Sequence, residues 1–221
     1  MRYRLATLTM LLPAALFAPR AQAGPPLVCH TFEIGQAQSL PWAGGPNWHS
    51  PDPSYDTKQL VPDTLALLAA KTPVLVRMET LRRAAIYSSK QPALAYELLS
   101  KLMARALSAD MGQDGAGHNS AGRDSSGRDS AALAWFDAGY LVETYRQAGW
   151  EKNPNLAEGL DGYGWTLKAL DLSGESADIE FAASLMKMNG AWPNRHFRKA
   201  LSEAPKGSLL ARNLARFDDR K

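Results

Sequence analysis

The sequence predicts an all-α domain: an irregular array of about seven helices in antiparallel hairpins, preceded by an extended strap rich in proline and tryptophan. Three observations carry that prediction. Apolar residues beyond residue 60 recur at helical rather than alternating spacing. Prolines, glycines and short polar residues punctuate them at helix-length intervals. No pair of alternating segments suited to a β-hairpin appears there.

The N-terminus predicts the compartment. Arg2 and Arg4, the apolar run from Leu5 to Phe17, and Ala21-Gln22-Ala23 have the three-part form of a secretory signal cleaved before Gly24. The run is shorter than the about 20 residues that span a bilayer. A periplasmic or secreted protein is expected, with no stable membrane anchor after cleavage. Arg2, Arg4 and Arg20 lie in the signal, which leaves 22 basic and 22 acidic residues in the mature chain. That balance gives no electrostatic reason to expect nucleic acid as a partner. A single cysteine excludes an internal disulfide, so a packed core must hold the fold.

Residues 24–56 form the strap. Six prolines and a Gly44-Gly45 pair argue against a helix, while Leu27, Val28, Phe32, Ile34, Leu40, Trp42 and Trp48 are too apolar for a disordered linker. The expectation is an ordered segment lying across helices, with a short strand near Thr31 to Ile34.

The helical domain, residues 57–221, follows. A short helix is expected over Asp63 to Lys71. Thr72 and Pro73 have the form of an N-cap and first-turn proline for a helix to about Ser89. Its inward stripe is Val74, Leu75, Met78, Leu81, Ala85 and Ile86. Gln91-Pro92 opens the next helix, to about Leu107, and the short link makes the two a hairpin. Residues 108–129 are polar and glycine-rich, which predicts a mobile loop. Its Asp110, Asp114, Asp124 and Asp129 lack the alternation and terminal glutamate of an EF-hand calcium loop.

Ser130 to Ala148 reads as the third long helix, stopped by Gly149. Pro154 opens a fourth, to about Ser173, with Leu156, Leu160, Tyr163, Leu167 and Leu170 as one stripe. Helices from Ser176 to Asn189, stopped by Gly190, from Asn194 to Ala204 and from Ser208 to Phe217 complete the chain. Glycines inside these helices cost roughly 1 kcal/mol each relative to alanine. Gly164 lies on the core side of the stripe and is expected to admit a neighbouring helix. Gly162 is rotated away beside Asp161 and is expected to mark a ligand cleft.

Trp135, Ala138, Gly139 and Val142 resemble the Trp-x2-Leu-Gly-x2-Tyr spacing of a tetratricopeptide first helix, with no second copy along the chain. The segment from Cys29-His30 to Ser39-Leu40-Pro41-Trp42 is similar to the start of uncharacterised exported bacterial proteins of all-helical type. Neither resemblance implies an activity.

Two groups of side chains are candidates for chemistry. Trp135, Asp137, Tyr140, Asp161, Gly162 and Trp165 gather aromatic and acidic groups on the central helices, as a ligand groove for a protein, peptide or glycan would require. Asp137 and Asp161, held in an apolar cleft, would suit acid–base work; the plainer reading pairs Asp137 with Arg77, Arg82 or Arg146. Cys29, His30 and His49 are the candidate metal ligands, and zinc or copper are the ions such a set would take. No cofactor is otherwise predicted, and no nucleotide, serine-triad or HExxH motif is present. His196 with Arg195, Arg198, Lys199, Arg212 and Arg216 reads as a solvated basic face. The resulting expectation is an exported helical binding or scaffold protein, with a periplasmic enzyme or metal-binding protein as the alternative.

Overall fold

In a computed structural model, residues 25–44, 48–114, 125–148, 156–187 and 192–218 are described. Among them the chain is all-helical, with no strand. The helices are α1 (Pro26–Cys29), α2 (Leu60–Leu67), α3 (Val74–Ser88), α4 (Pro92–Asp114), α5 (Ser125–Ala148), α6 (Gly162–Ser173), α7 (Ala177–Met186), α8 (Arg195–Glu203) and α9 (Leu209–Asp218). The expected signal peptide, the centre of the polar loop, Gly149, Trp150, Pro154, Asn189 and Gly190 lie outside the described residues.

Helix α5 is the axis of the core. It carries Phe136, Tyr140, Leu141 and Val142, all fully buried, and α3, α4 and α6 pack along it. The α3–α4 link is as short as expected, yet each of these helices packs more extensively on α5 than on the other. The last three helices start where their capping residues predict. Ser176 Oγ accepts from Ile179 N at 3.4 Å, Asn194 Oδ1 from Phe197 N at 3.0 Å, and Ser208 Oγ from Ala211 N at 3.0 Å. Such caps contribute about 1 kcal/mol each.

Several boundaries differ from the expected ones. Helix α2 lies a turn or so earlier in the chain. Thr72 does not cap α3, because its hydroxyl donates to Leu67 O at 2.7 Å; Pro73 is the N-cap residue. The polar segment 108–129 is helical at both ends, since α4 runs to Asp114 and α5 begins at Ser125. Helix α6 begins at Gly162, so the apolar stripe from Leu156 is not one helical face. Gly159, at φ +73°, turns the chain between Leu156 and Leu160 and the helix. Gly162, Thr166 and Ala169 are the buried positions of α6, while Leu167 is exposed.

The described residues of the strap are held chiefly by α3. Glu79 accepts from Arg82 Nη2 and Arg83 Nε through Oε1, and from Arg82 Nε through Oε2, each at 2.8 Å. Its Oε2 also accepts the backbone N–H of Phe32 at 3.1 Å. Arg82 Nη1 donates to Val28 O and Trp48 O, and Arg83 Nη1 to Leu40 O at 2.6 Å. Tyr87 donates to Pro41 O at 2.7 Å and accepts from Asp52 N at 2.8 Å. Residues 79, 82, 83 and 87 share one face at helical spacing. A proline-rich chain cannot pair all its carbonyls with its own N–H groups, so this face supplies the donors.

No strand forms at Thr31 to Ile34. The backbone there is taken by side chains instead. Glu33 N donates to Asn213 Oδ1, Asn213 Nδ2 donates to Glu33 O (both 2.9 Å), and Arg216 Nη1 donates to Thr31 O. The strap thus joins α3 to α9, with Phe32 set between Phe181 and Phe217 at centroid distances of 6.1 and 6.4 Å.

Candidate functional site

A cavity of about 210 Å³ lies where the α2–α3 turn meets α4 and α5. Its polar lining is Arg77, Arg105, Ser130 and Asp137; Leu68, Leu133 and three alanines supply the rest. Arg105 and Ser130 are exposed at the mouth, and Arg77 and Asp137, each 1% exposed, form the floor.

Each guanidinium nitrogen of Arg77 donates one hydrogen bond. Its Nε donates to Thr72 O at 2.9 Å, Nη2 to Ala69 O, and Nη1 to Asp137 Oδ2 at 2.6 Å. One guanidinium therefore closes the α2–α3 turn and ties it to α5. Asp137 is satisfied on one side only: Oδ1 is buried and has no hydrogen-bond partner. Burial outweighs the opposing effects of Arg77 and, more weakly, Arg105, and pushes the Asp137 carboxyl up to about 6. Arg105 donates from Nη1 to Leu68 O at 3.1 Å. Its Nε and Nη2 have no protein acceptor among the described residues.

Of the six residues expected to form a ligand groove, Asp137 alone lines this cavity. Asp161 does not line it: its Oδ1 accepts from Gly164 N at 2.8 Å and caps α6, so the acids Asp137 and Asp161 do not meet in this cavity. Trp135 and Trp165 do meet, at 5.8 Å between ring centroids, but as a packed pair with the Lys168 ammonium 4.1 Å from the Trp135 ring. Lys168 is held there by Asp110, one of the four aspartates of the polar segment, at 2.7 Å. Tyr140 is wholly buried against Phe136, its hydroxyl in the core rather than at a cleft.

Gly162 is not a sign of a cleft. It faces Gly139 across the α5–α6 crossing, and a Cβ on either glycine would stand 2.5–2.6 Å from the other's carbonyl oxygen. Gly164, expected to admit a helix, has the Asp161 carboxylate where its Cβ would be. Gly162 rather than Gly164 admits the neighbouring helix, because α6 begins only at Gly162, which changes the face each residue occupies.

Cys29, His30 and His49 are not brought together. Among the described residues no group of three or more His, Cys, Asp or Glu could hold a metal ion. His30 is buried with its ring 5.3 Å from that of Phe217, whereas His49 is exposed and packs on Trp48. Burial pushes the Cys29 thiol pKa up, against the opposing charge of Arg82, which leaves it less thiolate than a free cysteine.

Arg195, Arg198, Arg212 and Arg216 are exposed, as a solvated basic face requires, and His196 departs from it. His196 is 7% exposed, with Nδ1 facing Glu180 Oε2 at 2.5 Å and Nε2 facing the Tyr163 hydroxyl at 2.8 Å. This chain links α6, α7 and α8. Lys199 Nζ lies 3.4 Å from the other Glu180 oxygen. Arg212 pairs with Glu33 and Arg216 with a strap carbonyl.

Asp137 was legible as an acid on an apolar helical stripe. Arg105 and Ser130 had no such signal, since polar residues beside an inward stripe look like any solvated helix edge. No protein-family model, curated protein or solved structure matches this chain.

Proposed function

We propose that this chain is an exported helical binding protein whose ligand enters the cavity between the α2–α3 turn, α4 and α5. One observation carries the reading: Asp137 Oδ1 is buried, unpartnered, and belongs to a residue lining a cavity. An unsatisfied buried acceptor costs about 1–3 kcal/mol, more when charged, and a ligand donor would recover part of that. The volume supports a small molecule rather than a peptide or glycan chain, because pockets for drug-sized ligands are about 300–1,000 Å³.

The test is a small-molecule screen by thermal shift on the mature chain, repeated on Ala134→Leu. Ala134 is buried and lines the cavity, so leucine would fill the space. A ligand at a hundred times its Kd should stabilise the protein by about 2.7 kcal/mol, or a rise of about 5–11 °C in a chain of this size. The rise should vanish in Ala134→Leu. A screen without binders, or binders indifferent to the filled cavity, would overturn the proposal.

A further inference from the structure

Resting on that reading, we infer the ligand class: a short monoanion carrying a hydroxyl, that is, a small hydroxycarboxylate. The charges at the cavity decide this. Arg77 and Asp137 neutralise each other across 2.6 Å, and each nitrogen of Arg77 already donates one hydrogen bond, to Thr72 O, Ala69 O and Asp137. Arg105 is the third charge lining the cavity, and no acid lies within ion-pair distance of it among the described residues. The site therefore carries one net positive charge, and its free guanidinium N–H groups are at the mouth. An anionic group of the ligand belongs there, where a planar guanidinium can take a carboxylate by two parallel hydrogen bonds.

At the floor the demand is opposite. Asp137 Oδ1 accepts and has nothing to accept from. The ligand must bring a donor to it. An ammonium would serve as a donor, but a zwitterion would leave the positive charge of Arg105 uncompensated over the whole site. A hydroxyl satisfies Oδ1 and leaves the carboxylate to balance Arg105. Between the two ends the lining is apolar, from Leu68, Leu133 and the alanines, which suits a short hydrocarbon body. At about 30 Å³ per water molecule the cavity holds the equivalent of about seven waters, so the body is only a few carbons long.

The experiment is isothermal titration calorimetry near neutral pH on the mature chain with glycolate, lactate and 3-hydroxybutyrate. The controls are propionate and butyrate, which lack the hydroxyl, propane-1,2-diol, which lacks the charge, and serine, which is a zwitterion. At least one hydroxycarboxylate should bind, and about tenfold or more tightly than its deoxy analogue, as expected where a buried acceptor is otherwise left unpaired. Arg105→Met, a change at an exposed position, should weaken it by about tenfold or more, and Arg105→Lys should restore part of the loss. Equal binding of the deoxy acids, tighter binding of serine or the diol, or binding unchanged in Arg105→Met would each overturn the assignment. If the thermal-shift screen yields ligands of another class that Ala134→Leu abolishes, the ligand class fails while the cavity remains a binding site. If no compound binds, both fail.

Discussion

Gly139 and Gly162 meet backbone to backbone where α5 crosses α6, each occupying the space a side chain on the other helix would need. Their carbonyl oxygens stand where the partner's Cβ would fall, so neither helix can yield by turning a rotamer. Gly139→Ala or Gly162→Ala should therefore cost about 1–3 kcal/mol, the usual penalty of overpacking. At this size that is a fall of several degrees in Tm. Gly164→Ala should do less, about 1 kcal/mol, because only the flexible Asp161 cap must move. Differential scanning calorimetry of the three variants checks the order; a larger loss at Gly164 than at Gly139 would contradict it.

The strap should come loose when Glu79 is neutralised. Burial raises the Glu79 pKa, but Arg82, Arg83 and the Phe32 N–H more than offset this and hold it below the ordinary carboxylate value. Glu79→Gln leaves the buried Arg82 without its carboxylate, a change that typically costs about 3–5 kcal/mol. Hydrogen exchange should rise first over residues 27–52, ahead of α5. Uniformly raised exchange, or none, would mean that the strap is held by its apolar side chains alone.

Asp137 imposes a pH dependence of known sign. Its pKa is about 6 in the folded protein against an ordinary 3.8, so the native state keeps a proton that the unfolded chain releases. The stability it contributes is fully present below about pH 4 and is lost as pH rises through about 6. Glu79 acts in the opposite sense, contributing above its ordinary 4.5 and losing that contribution as pH falls through its depressed folded value. Urea titrations from acid to neutral pH on the parent and on Asp137→Asn separate the two. The stability difference between parent and variant should shrink as pH rises from about 4 to about 6. A flat difference would show that Asp137 stays ionised.

Glu180, His196 and Tyr163 should behave as one unit. Glu180→Gln removes a charge-assisted bond and should cost about 2 kcal/mol, and Tyr163→Phe about 1 kcal/mol. Because both act through the same imidazole, the double variant should lose less than the two losses added. Strict additivity in urea denaturation would refute the coupling.

The helices themselves were legible because their causes are local. Ser176, Asn194 and Ser208 cap the helices they precede through bonds spanning three residues, and such bonds can be read from spacing. Where a longer-range cause competes, the reading fails. Leu156 to Leu170 has a good helical period, but Gly159 in the left-handed region turns the chain and Glu143 docks the start of α6 by accepting Tyr163 N at 2.9 Å. Thr72 has the right residue type for an N-cap, but its hydroxyl is turned back to Leu67.

Charged residues mark the same division. By itself the sequence determined the helical class, most helix starts, the need for a core without disulfides, and the oddity of an acid at position 137. It could not say where Glu79, Arg82, Arg83 and His196 would point, since a charged side chain on a helix looks the same whether it meets water or a partner far along the chain. Only the tertiary structure decided that α3 turns its arginines onto the strap, that Gly162 rather than Gly164 admits a helix, and that Asp137 faces a cavity with one oxygen satisfied. The physical reason is distance along the chain: helix formation is set by neighbours three or four residues away, whereas burial of a charge is set by groups 47, 54 or 60 residues distant.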